Sequence, residues 1–170
     1  MADGRGGFAG SDPAMKFELE AGGAGVASVR NMTEIEEIRS KYQRGELDHI
    51  RRDLENFITS HREEILAFQL DYNAKNPRRT LNDALAIKFY LIQVRSINPQ
   101  QEIREQLNEI EKEKWIRGVA SGHAPDANEV AMEWARLYSP GWRSHRVTAI
   151  IFIFEQERER FAALLRQCPA

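Results

Sequence analysis

Leu47, Ile50, Leu54, Ile58, His61, Ile65, Phe68 and Tyr72 recur in steps of three and four. Seven steps over 25 residues give a period of about 3.6, the spacing of one straight apolar stripe on a single long helix. The stripe stops at Asn76-Pro77, because a residue before proline is pushed out of the helical region. Ahead of it, Thr33 and Glu36 have capping-box spacing, so a short first helix is expected to run from Thr33 to near Gly45. Thr80 with Asp83 marks a third helix over residues 81–97, apolar on most of its circumference and therefore central.

Asn98-Pro99 with Gln101 supplies a cap, a first-turn proline and a reciprocal glutamine for a fourth helix. That helix is mostly Glu and Lys, with Ile103, Leu107 and Ile110 as its narrow apolar stripe, and should lie on the outside. Residues 118–125 read as a loop. Asp126 with Glu129 caps a fifth helix with Ala127, Val130, Ala131, Trp134 and Tyr138 on its inner face. Ser139-Pro140-Gly141-Trp142 has the composition of a type II turn.

The run VTAIIFIF, residues 147–154, is rich enough in β-branched residues to pass for a buried strand. No second strand is available to pair with it, and Val147, Ile150, Ile151, Phe154, Phe161, Leu164 and Leu165 fit helical spacing. A last helix capped by Ser144 and running to Arg166 is therefore expected. The predicted fold is all-α: a single-domain bundle of about six helices over residues 31–170.

Seven of the 11 glycines lie in the first 30 residues, which read as a flexible Gly-rich N-terminal tail. Within it, residues 15–20 (MKFELE) alternate apolar and charged positions as a docked strand would. GSDPAM reads equally as an appended leader, with Met32 as the native start.

Composition changes the picture mainly by exclusion. A chain of 170 residues with 42% hydrophobic and 29% charged residues has the balance of one folded domain. A net charge of −2 gives no whole-chain attraction to nucleic acid, so any such binding must be local. The single cysteine, Cys168, excludes an internal disulfide and favours a reducing cytoplasm. The longest apolar run, 8 residues, is far short of a membrane span, so no membrane partner is expected.

Candidate chemistry is sparse. Trp142, Arg143, His145 and Arg146 cluster before the last apolar run, and a helix start beside two arginines has the ingredients of an anion or partner site. The bland reading is that Glu129, Glu133 or the acidic second helix neutralises them. Arg78 and Arg79 lie in a second basic stretch, residues 74–98, where five cations meet one carboxylate; residues 31–73 carry −4, so the two segments should pack and offset each other, the alternative being a basic face left free for an anionic partner.

Glu46 and His49 have Glu-x-x-His spacing, but a di-iron bundle needs two such motifs. With His61 they form only a weak metal set. His61 on a core face is most simply a hydrogen-bonded structural histidine. No phosphate loop, catalytic constellation or cofactor motif is present, and no cofactor is expected. The function expected is a non-enzymatic helical protein–protein interaction module (adaptor, regulator or assembly factor), with a homodimer through the long helix as one form. The alternative is nucleic-acid binding by Arg143–Arg146 and the Arg78–Arg79 loop, and a metal-dependent enzyme is a distant third.

Overall fold

The computed structural model describes residues 23–167, with side chains from Thr33 onward. Residues 1–22, including the alternating segment 15–20, and Cys168 lie outside the described residues. Eight helices follow in order, and no strand occurs among the described residues: α1 (Gly23–Gln43), α2 (Asp48–Ser60), α3 (Arg62–Lys75), α4 (Asp83–Val94), α5 (Pro99–Ser121), α6 (Ala127–Leu137), α7 (Ser139–Gln156) and α8 (Arg158–Arg166). The all-α class holds. The count of six does not, because each of the two long apolar helices is broken once.

The first break is at His61. Its backbone, at φ −105° and ψ 21°, departs from the helix for one residue. Its N–H still donates to Phe57 O at 2.9 Å, and Ile65 N–H donates back to His61 O at 2.9 Å. Only a bend results, so Leu54, Ile58 and Ile65 all remain fully buried across it. The second break is at Glu157, at φ −119° and ψ 27°. Its largely buried carboxylate accepts from the Tyr42 hydroxyl at 2.9 Å and pairs with Arg51 at 3.7 Å and Arg160 at 2.5 Å. This break thus ties α1, α2 and α8 to one acidic residue. Burial, followed by the Glu157 hydrogen bond, pushes the Tyr42 phenol above its ordinary pKa.

Three helix starts differ from expectation. α1 begins ten residues before Thr33, so that threonine is not a cap and part of the expected tail, residues 23–30, is helical. α4 is capped by Asn82, whose Oδ1 accepts from Leu85 N–H at 2.9 Å, rather than by Thr80. Its position is secured from α3. Asn73 accepts Leu81 N–H at 2.6 Å and donates to Leu81 O at 3.1 Å, while buried Gln69 donates to Leu81 O at 3.0 Å and Asp83 at 3.1 Å.

Asn98 caps α5 and Asp126 caps α6 as the sequence indicates. The reciprocal glutamine does not form: Gln101 donates to Glu105 instead. α5 also runs through Gly118 to Ser121, so the expected loop shrinks to residues 122–126; the left-handed residue that ends the helix is Gly122, φ 73°. Ser139–Trp142 is the first turn of α7 and not a type II turn. Pro140 already has helical φ and lacks only an N–H that a first turn leaves unused, and Trp142 N–H donates to Tyr138 O at 2.9 Å. Ser144 is therefore in the second turn and caps nothing.

The core joins α2, α3, α4, α7 and α8, with Ile38 of α1 laid against α7. Phe154, Phe161, Ile87 and Ile153 are at its centre with no exposure. Neither α5 nor α6 contributes a residue to it. Those two helices form a hairpin in which α6 buries Val130 and Trp134, whereas α5 buries no residue.

α5 lies on the outside, and two of its three stripe residues face solvent while Ile110 is partly buried. Ile103 and Leu107 are 58% and 55% exposed, and Trp115, Ile116 and Val119 are also open to solvent. Its inner side is polar: Glu102 and Glu105 face Arg146 of α7, Arg117 pairs with Glu133 of α6, and Asn98 donates to Asp53 of α2 at 3.1 Å. The helix is held by charge and hydrogen bonds, and its apolar side faces outward.

Candidate functional site

The end of α4, the start of α5 and the first half of α7 enclose a groove of about 710 Å³. The α4 cap creates one wall. Arg95 closes α4 in the left-handed conformation, φ 58°, the one positive-φ residue other than glycine among the described residues. An L side chain there is disfavoured by roughly 1 kcal/mol. The turn it makes brings Ile92, Val94, Arg95 and Ser96 onto the groove. α5 contributes Glu102, Ile103 and Gln106, and α7 contributes Trp142, Arg143, Arg146 and Val147.

Three of the four clustered residues, Trp142, Arg143 and Arg146, therefore reach one site. Arg143 is exposed and makes no ion pair among the described residues. Arg146 is 6% exposed, its guanidinium carbon 5.7 Å from the centre of the Trp142 ring. One nitrogen of Arg146 donates to Glu105, and Nε lies 3.5 Å from Glu102 without hydrogen-bond geometry. Nη2 has no hydrogen-bond partner, and neither does the buried Oγ of Ser96 on the opposite wall. His145 points the other way and pairs with Glu34 of α1 through Nδ1 at 2.9 Å. The cluster's counter-charges come from α1 and α5, not from Glu129 or Glu133; Glu133 is engaged with Arg117, which holds its carboxyl below the usual range.

Arg78 and Arg79 are exposed and unpaired among the described residues, in the turn before α4. Twelve helical residues at about 1.5 Å each separate that end of α4 from the groove, so the two basic sets lie roughly 18 Å apart along it. The expected mutual neutralisation of residues 31–73 and 74–98 is confined to Lys75–Asp71 within α3. Lys88 pairs instead with Glu155 of α7, and Asp83 with Arg166 of α8. The Arg166 guanidinium, with Gln69, holds the Asp83 carboxyl below its ordinary pKa.

The weak metal set disperses. Glu46 accepts from Arg44 at 2.5 Å, which lowers its pKa; His49 faces Glu105 at 3.7 Å; and His61 donates Nδ1–H to Phe57 O at 3.0 Å. The His61 ring also stacks on Phe57, centroids 4.2 Å apart. No group of three His, Cys, Asp or Glu positioned to hold a metal ion occurs among the described residues. No described helix is long and apolar enough to cross a membrane.

Sequence reasoning missed Arg95, Ser96 and Glu102, whose roles follow from a left-handed cap and a helix-to-helix approach that no spacing announces. A scan against protein-family models finds no match to this chain, and searches of curated proteins and of solved structures likewise find none.

Proposed function

We propose that this chain is a non-enzymatic helical interaction module whose α5–α6 hairpin and adjoining groove receive another protein. One observation carries the reading: α5, 23 residues long, buries no residue and turns Ile103, Leu107, Trp115, Ile116 and Val119 to solvent. An apolar face held outward by polar contacts on the inner side is what a binding surface looks like before its partner arrives. Self-association through α2 and α3 is not favoured, since their stripe is occupied by the core; a homodimer would form through α5. The single cysteine keeps the reducing cytoplasm as the proposed setting.

The test compares the parent with a Leu107→Ser, Trp115→Ser variant. Sedimentation over a range of concentrations reads self-association, and capture from an extract of the native host reads other partners. The reading predicts that one of the two is present in the parent and lost in the variant. If both proteins are monomeric and capture the same proteins, the reading falls.

Nucleic-acid binding is the second reading, favoured by the unpaired Arg78, Arg79 and Arg143. Against it, Arg146 and His145 are engaged internally and the basic sets sit at opposite ends of α4. A salt titration with mixed-sequence DNA and RNA decides it, since phosphate contacts weaken steeply with salt.

A further inference from the structure

We propose that the groove between α4, α5 and α7 takes a partner segment presenting an aspartate or glutamate beside a bulky apolar side chain. This rests on the interaction-module reading and narrows it to one chemistry.

The charge balance comes first. Three arginines, Arg95, Arg143 and Arg146, face two carboxylates, Glu102 and Glu105, so the site carries a net +1, with the carboxylates drawn to Arg146 and with Arg95 and Arg143 at the rim. Neither has an ion pair among the described residues. A second observation lies deeper. Arg146 is more than nine-tenths buried, yet Nη2 has no hydrogen-bond partner and Nε only a distant carboxylate; Ser96 Oγ is buried and unpartnered as well. Buried donors without acceptors are costly, and an entering carboxylate is the group that supplies acceptors to several guanidiniums at once.

The third observation is the lining between these cations. Ile92, Val94, Ile103 and Trp142 give the groove an apolar wall, and Ile92 and Ile103 are about half exposed. An apolar side chain next to the carboxylate would cover them. A polyphosphate backbone would not, because it needs a run of cations and has nothing to place on isoleucine. The left-handed Arg95 fits the same picture: glycine would serve better as a helix cap there, but would remove one of the two free cations.

Random 12-residue peptides displayed and selected on the full chain test the proposal, followed by anisotropy titration of the strongest, fluorescein-labelled, against parent, Arg95→Gly and Arg143→Gln proteins. Both substitutions are at exposed positions, and far-UV melting at or above the parent's temperature would show that the variants fold, with Arg95→Gly expected to gain stability from its left-handed position. Selected peptides should share Asp or Glu next to Leu, Ile, Phe or Trp. Their binding should weaken about tenfold when the acid is changed to its amide, and by a similar factor in each variant, in keeping with one charge-assisted contact.

Selected peptides that are apolar without an acid, or that bind both variants like the parent, would overturn the carboxylate site while leaving the module reading in place. Failure to select any peptide also overturns it, and the Leu107→Ser, Trp115→Ser comparison then decides the module reading separately. A mixed-sequence RNA or DNA that displaces the peptide and binds through Arg143 would make the groove a nucleic-acid site and sink the proposal. The same holds if a peptide spanning residues 13–22 displaces the selected one and deletion of residues 1–22 strengthens its binding. The chain's own segment would then be the occupant.

Discussion

Exchanging one isoleucine and one leucine for alanine tests the fold and the functional surface together. Ile65 has no exposure and sits just past the His61 bend, whereas Leu107 on α5 is more than half exposed. Each substitution deletes three carbon groups, worth about 0.8 kcal/mol apiece in transfer free energy, or ~2.4 kcal/mol if all leave a dry site. At Ile65 the full transfer term applies and an unfilled cavity adds to it, so Ile65→Ala should cost about 3–4 kcal/mol. At Leu107 roughly half the side chain is already in water and alanine is the better helix former, so the net cost should stay below about 1 kcal/mol. Urea unfolding followed by far-UV circular dichroism reads both. For a domain of this size Ile65→Ala should lower Tm by roughly 6–16 °C, against less than about 4 °C for Leu107→Ala. Equal losses would refute the reasoning: α5 would then pack with its stripe inward, and the exposed surface behind the proposed function would vanish. A near-neutral Ile65→Ala would instead place the α2–α3 stripe outside the core.

Three further outcomes are expected. Arg146→Ala should destabilise by about 2–3 kcal/mol, below the usual 3–5 for breaking a fully buried pair because Glu102 and Glu105 keep some exposure; Arg143→Ala should change stability by less than about 0.5 kcal/mol, both read by urea unfolding. Asp83, with its pKa depressed by Arg166, contributes stability that is fully present above its unfolded pKa of 3.8 and is lost as pH falls through the lower folded value. Melting curves from pH 6 to 2 should therefore fall more steeply for the parent than for Asp83→Asn, and parallel curves would remove the Arg166–Asp83 pair from the account. His61→Leu should cost no more than about 1 kcal/mol, because Phe57 O keeps its bond from the His61 backbone N–H. A loss above about 3 kcal/mol would give the ring a role beyond its stacking on Phe57 and its hydrogen bond.

The sequence alone determined what depends on spacing along one chain. The stripe from Leu47 to Tyr72, the apolar face of residues 147–165 and the Asn98 and Asp126 caps are local patterns, and each was legible because helical periodicity and capping act within a few residues. Tertiary structure decided what depends on competition between distant groups. The bend at Glu157 gathers Tyr42, Arg51 and Arg160, partners up to 115 residues away in the chain. The groove needs Arg95 held left-handed at the end of α4 beside Trp142 and Arg143 of α7. The orientation of α5 is the sharpest case. Its own stripe asks to be buried, but Glu102, Glu105 and Arg117 on the other side meet Arg146 and Glu133, and the core beneath is already filled by α2, α3, α4, α7 and α8. A helix with two usable faces turns the one for which its neighbours have a complement, and those neighbours are set by the fold.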